Sequence, residues 1–249
     1  MLRRIFAAAL GAGIGVGVLI AAFQHVSLVP MILEAEKYES GAIAPHRHEH
    51  DALPAQIGTA MGTAVVGRAQ AQTQDRAAPA SAEGESMRVV LTTIATMLTS
   101  VGFALLLAGA FAVSGRAVDA REGLLWGVAG FAAFALAPAF GLPPELPGSV
   151  AADLLSRQIW WLGTVAATVL ALGLMVFVRA AWAIPVGVAL IAAPHLIGAP
   201  HPAGGAGLVP PELAAAFAAR SLGVNAIFWA LLGLATGALY ARFGGAVRA

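Results

Sequence analysis

Six histidines and no cysteine define the chemistry open to this 249-residue chain. Without thiolates there is no disulfide, no sulfur ligand and no cysteine nucleophile, so a bound cation has to be held by imidazole nitrogen and carboxylate oxygen. Three of the histidines alternate in His46-Arg-His-Glu-His50. An extended backbone sets His46, His48 and His50 on one face, whereas a helix brings only His46 and His50 together. With Glu49 and Asp51 adjacent, these donors suit cobalt, nickel or zinc, and donor type alone does not choose among them. The bland alternative is a solvated loop cluster that binds metal incidentally.

Two glutamates stand in a repeated setting: Gly141-Leu-Pro-Pro-Glu-Leu-Pro-Gly148 returns, weakened, as Gly207-Leu-Val-Pro-Pro-Glu-Leu213. Each copy follows one apolar run and precedes another. Paired prolines end the incoming helix and preset the next entry, with Glu145 or Glu212 where the following helix begins. Taken singly, each glutamate is a first-turn acid favoured by the helix dipole. Their repetition points further, to two turns that bring carboxylates to one shared site, as parallel repeats in transporters do.

The elements that must position these groups follow from composition. The chain is 59% hydrophobic and 11% charged, with a mean hydropathy of +0.82, whereas a soluble domain carries about a quarter charged residues. It reads as an integral membrane protein. Abundant glycine and alanine fit close helix packing, and alternating strand patterns are missing, so the expected fold is an all-α polytopic membrane helix bundle. Apolar runs at about 5–29, 88–113, 122–141, 158–178, 181–199 and 217–241 each approach the roughly 20 residues that cross a bilayer. They predict six transmembrane helices in three in-out-in hairpins, one membrane domain over 1–249, with a polar extracytoplasmic loop at 30–87. The first run is too long for a signal peptide. Its Gly11, Gly13, Gly15 and Gly17 form two interleaved GxxxG pairs, a close-packing face.

Sidedness follows from arginines in short loops. An even number of spans gathers Arg3, Arg4, Arg116, Arg121, Arg179, Arg242 and Arg248 at one end, leaving Arg157 and Arg220 at the other. The richer end is cytoplasmic, which places both termini in the cytoplasm. All six histidines, including His25, His195 and His201, then fall at the external end, as do Pro30 with Glu34 and Glu36. Gln24, Thr92, Thr96, Ser100, Gln158, Thr164, Ser221 and Asn225 add polar groups there. Serine and threonine in membrane helices commonly bond back to their own backbone, and Trp160 and Trp161 read as an interfacial belt. Asp153 and Arg157, four residues apart, read as a helix-surface ion pair. His195 stands apart: a histidine inside a spanning segment is costly unless paired or wet, which makes it a site candidate.

Several classes drop out. A net charge of +1, with no basic face, excludes nucleic acid. No GxxxxGK[ST] loop is present, so this chain has no ATP-binding site. No acidic or basic residue lies in the centre of any span, removing the usual proton relay. Carboxylates lie in turns and HExxH is missing, so a membrane metalloenzyme ranks low and the chain is not read as an enzyme.

The chain resembles the cobalt transporter subunit CbtA family nearly end to end. The likeness is carried by Pro30 with Glu34-Ala-Glu36-Lys-Tyr-Glu39, Pro138-Ala-Phe-Gly-Leu-Pro-Pro-Glu-Leu-Pro-Gly148 and Arg157-Gln-Ile-Trp-Trp161. It continues through Pro194-His195, Gly198-Ala-Pro-His-Pro202, Val209-Pro-Pro-Glu-Leu213 and Phe228-Trp229. The resemblance implies uptake of cobalt linked to cobalamin synthesis, beside a small single-span, histidine-bearing subunit of the CbtB type. The combined expectation is a subunit in the lipid bilayer that collects a divalent cation, Co2+ ahead of Ni2+ or Zn2+, with no permanently bound cofactor. The metal set is His195, His201, Glu145 and Glu212, with His46, His48 and His50 as a capture site and His25 nearby. The alternative is a metal-sensing or assembly subunit that conducts nothing.

Overall fold

The computed structural model describes residues 2–42, 82–202, 204 and 207–245, so the His46 to His50 cluster lies outside the described residues. The described elements are helices: α1 (Leu2–Ser27), α2 (Val29–Glu39), α3 (Ala82–Ser114), α4 (Ala120–Ala139), α5 (Leu154–Phe177), α6 (Ala183–Ile197) and α7 (Pro211–Gly245). Within α4 the helix widens to one π-helical turn over Ala132–Leu136 before closing with Ala137–Ala139.

Five of these, α1, α3, α4, α5 and α7, are long and apolar enough to cross a membrane. The sixth expected span is the shorter apolar α6. Its 15 residues reach about 22 Å at 1.5 Å per residue, against a hydrocarbon core of about 30 Å. It ends at Gly198, its C-cap, which takes φ +92°, while Pro194 lies inside the helix and brings no N–H to it.

The frame is built by backbones that approach closely. Helix α1 packs between α3 and α7, and α7 packs in turn on α4. A Cβ added to Gly17 would lie 2.7 Å from Met97 Cα, and one on Gly13 would meet the backbone of Val101. One of the two interleaved glycine pairs therefore seats α1 on α3, while Gly15 faces open space. Between α4 and α7, Gly123 and Gly127 face Gly233 and Gly237, and a Cβ on Gly237 would stand 2.8 Å from Gly123 Cα. Small residues on both partners let the two helices touch along their main chains. Above this contact, aromatic rings fill the middle: Phe103 and Trp229 have centroids 4.8 Å apart, and Phe134 stacks on Trp229 at 5.4 Å.

The ends are tied separately. At the arginine end, Arg4 Nε donates to the Tyr240 carbonyl at 2.7 Å and its guanidinium lies 3.7 Å from the Tyr240 ring centroid. That joins the start of α1 to the end of α7. At the opposite end the two Pro-Pro-Glu turns lie side by side, with the Leu208 N–H donating to the Gly148 carbonyl at 3.2 Å. Gly148 itself takes φ +78°. Leu146 and Val209, one from each turn, are buried in the same core as Leu28 and Met31 at the start of α2. Helix α6 packs on α5, and α5 meets α4 through the π turn and the last α4 residues.

Candidate functional site

His195 occupies the last turn of α6, half-buried between two aromatic rings. Its imidazole lies 5.7 Å from Trp160 and 6.1 Å from Phe140, both edge-to-face. Trp160 does more than mark an interface: its Nε1–H donates to the Pro194 carbonyl at 3.1 Å, clamping the end of α6 to α5 beside the histidine. His201 follows on the exposed stretch after Gly198. Both histidines line one cavity of about 660 Å³ bounded by α4, α5 and α6, whose wall includes Phe140, Trp160 and Thr168. The Thr168 hydroxyl donates to the Thr164 carbonyl at 2.8 Å, which leaves its oxygen lone pairs as acceptors.

Glu145 lies elsewhere. It lines a second cavity of about 720 Å³ with Gln158, Trp161 and Asn225, and its carboxylate accepts from Arg157 Nη2 at 2.8 Å. The expected Asp153–Arg157 pair is thereby corrected. Asp153 is the N-cap of α5, accepting from the Ser156 backbone N–H and the Ser156 hydroxyl, each at 3.0 Å. The Ser156 N–H stabilises the charged form first of all, and holds the Asp153 carboxyl below the ordinary carboxylate range. Capping outcompetes an i,i+4 pair here because a carboxylate ahead of the first turn satisfies amide hydrogens that otherwise have no acceptor. Side chains of Arg157 and Glu145 are 29% and 30% exposed, so their pairing contributes little stability but fixes direction.

Glu212 matches the bland reading, exposed in the first turn of α7. Exposed His25 lines a third cavity of about 230 Å³ with Gln24, Glu36, Arg88, Thr92 and Thr93. There Arg88 reaches Glu36 at 3.4 Å, tying α3 to α2. Thr93, Ser100 and Thr164 donate back to carbonyls four residues earlier in their own helices, whereas Thr96 crosses to Gln24 at 3.3 Å. His195 and His201 thus share a cavity, and Glu145, Glu212 and His25 stand on other surfaces. Among the described residues no group of three or more His, Asp or Glu side chains comes together to hold a metal.

One feature has no counterpart in the sequence reading. A cavity of about 860 Å³ opens at the arginine end between α3, α4 and α5, with Arg116 and Glu122 at its mouth and Trp126, Leu172 and Phe177 in its wall. Its lining is one face each of α4 and α5 with Leu107 of α3, and the spacing within either helix marks a face without showing what it faces.

A family described as "Probable cobalt transporter subunit (CbtA)" matches residues 2–241. No curated protein and no solved structure matches the chain.

Proposed function

The chain belongs to the probable cobalt transporter subunit (CbtA) family, and from that premise we propose that it collects Co2+ at the extracytoplasmic face through His195 and His201. Membership makes it a multi-pass membrane subunit of a transporter, in a family that is not one of enzymes. The observation that carries the finer reading is that two imidazoles open on one cavity, one half-buried and clamped, the other exposed on the approach.

Two imidazoles make a weak site by themselves, with the remaining positions of the cation left to water or to donors of a partner subunit. Weak holding suits transport, since an ion bound by a full protein cage is not released. Glu145, Glu212 and His25 add carboxylate and imidazole groups to the same extracytoplasmic end from other surfaces, with His46, His48 and His50 as a looser capture site. The partner is a small single-span, histidine-bearing subunit of the CbtB type, and the ion taken up serves cobalamin synthesis. The protein sits in the bacterial inner membrane with both termini cytoplasmic.

Uptake of labelled cobalt by cells carrying His195→Ala, His201→Ala or both tests the reading. Losing even an outer-shell partner costs about 10–100-fold in metal affinity, so losing a ligand reduces uptake at limiting cobalt by at least about tenfold. Uptake that is unchanged in the double variant, at equal protein in the membrane, overturns it.

A further inference from the structure

Two cavities enter the bundle from opposite ends, and Leu172 is a wall of both. The histidine cavity descends from His201 to Thr168 and Leu172 on α5. The arginine-end cavity rises from Arg116 and Glu122 to Gly130 and Ala133 on α4. Helix α4 changes sides at the same level: Ala132 lines the histidine cavity and Ala133, the next residue, lines the other. Both belong to the π turn, a widened turn of a kind that recurs at functional sites. The Glu145 cavity shares no lining residue with either.

We propose that Leu172 is the barrier of the ion path, which runs from His195 and His201 past this side chain to the mouth at Arg116 and Glu122. The proposal rests on the metal-collecting reading above. An apolar side chain at a constriction excludes a hydrated cation by excluding its water. Leu172 is half-buried and, among the described residues, is the lining residue the two cavities have in common, so its rotamer bears on both. The neighbouring Gly173 lines the arginine-end cavity, and a Cβ there would meet nothing within 4 Å.

The chain has no cysteine, so single cysteines report without background. Gly173→Cys samples the arginine-end cavity in open space, and Ala132→Cys samples the histidine cavity. Each is carried in sealed vesicles of defined orientation and exposed on one face to a membrane-impermeant thiol reagent. With Leu172 intact, the two positions label from opposite faces. Adding Leu172→Ala makes both label from either face, while Leu172→Met, close in volume, keeps the sidedness. Labelling of Gly173→Cys from both faces with Leu172 present, or from one face only in a normally eluting Leu172→Ala protein, overturns the barrier.

An enlarging variant gives a second arm: Leu172→Phe stops cobalt uptake and leaves cobalt binding to the purified protein unchanged. Retained uptake counts against the barrier. Labelling requires no metal, so the two readings fail separately. Sidedness governed by Leu172 in a protein indifferent to His195 and His201 removes the metal reading alone, and the converse removes the barrier alone.

Discussion

The four-helix frame of α1, α3, α4 and α7 and the arm formed by α5 and α6 are held by different physics. In the frame, glycines bring main chains into contact: Gly13 and Gly17 seat α1 on α3, and Gly123 and Gly127 seat α4 on Gly233 and Gly237 of α7. The arm has few such contacts. Helix α6 buries only Ala183, Gly187 and Pro194, and its far end is fixed by one indole hydrogen bond and two ring contacts at His195. Yet both histidines that share a cavity belong to the arm or the loop that leaves it, and that cavity and the arginine-end cavity lie where the arm meets the frame. Rigidity and chemistry are assigned to different helices.

The sharpest way to break this contrast is to place equal insults in the two regions. Gly127→Ala puts its Cβ onto the Trp229 carbonyl and within 3.1 Å of Gly233 Cα, and backbone has no rotamer with which to yield. Overpacking typically costs about 1–3 kcal/mol, and a backbone–backbone clash belongs at or above the top of that range. Loss of the folded peak in size exclusion, or a large fall in Tm in detergent, is expected. Gly163→Ala on α5, where a Cβ meets nothing within 4 Å, should stay within about 0.5 kcal/mol of the parent. Equal losses in the two variants would erase the distinction between frame and arm.

A smaller effect comes from the indole clamp. Trp160→Phe keeps a ring beside His195 and removes the donor to the Pro194 carbonyl. A hydrogen bond of this kind contributes about 0.5–1.5 kcal/mol. The cost should lie at the low end, because the same carbonyl also accepts from the Gly198 N–H at 3.1 Å and is not orphaned. Tm should barely move while cobalt binding, followed by titration calorimetry, weakens severalfold as the end of α6 loses its register. Unchanged binding would show that His195 is oriented without Trp160.

How far the sequence leads depends on whether a feature is local. Apolar runs mark five helices long enough to span, and proline pairs with glycines mark the turns that meet at Leu208 and Gly148, because hydropathy and turn chemistry are properties of consecutive residues. The sixth run reads as a span over 181–199, and the helix there covers Ala183–Ile197, because hydropathy does not register the cap at Gly198. The GxxxG spacing of Gly123 with Gly127, and of Gly233 with Gly237, is as plain as that of Gly13 with Gly17. What spacing omits is the partner, because close packing belongs to two helices at once. Arg157 makes the same point: in sequence its nearest acid is Asp153, and in space its partner is Glu145 across the turn. Cavities lie furthest from the sequence, because each is made where faces of different helices meet and the spacing on one helix does not name the others.

The mildest test probes how the arm begins. The Asp153 carboxyl titrates below its ordinary value because it is charged where the Ser156 N–H and hydroxyl donate to it. A carboxylate with a depressed folded-state pKa contributes stability that is complete above its unfolded pKa of about 3.9 and is lost as pH falls through the folded value. Asp153→Asn keeps an acceptor oxygen at the N-cap, where asparagine caps as well as aspartate, and removes only the charge. The parent protein should therefore be the more stable at neutral pH, with the difference in Tm closing as the buffer is taken below about pH 4. Asp153→Ala lacks the acceptor altogether and should lie below both at neutral pH. If thermal unfolding of the asparagine variant instead follows the parent at every pH, the start of α5 is held by the geometry of the cap and not by its charge, and Arg157 owes its freedom to pair with Glu145 to that geometry alone.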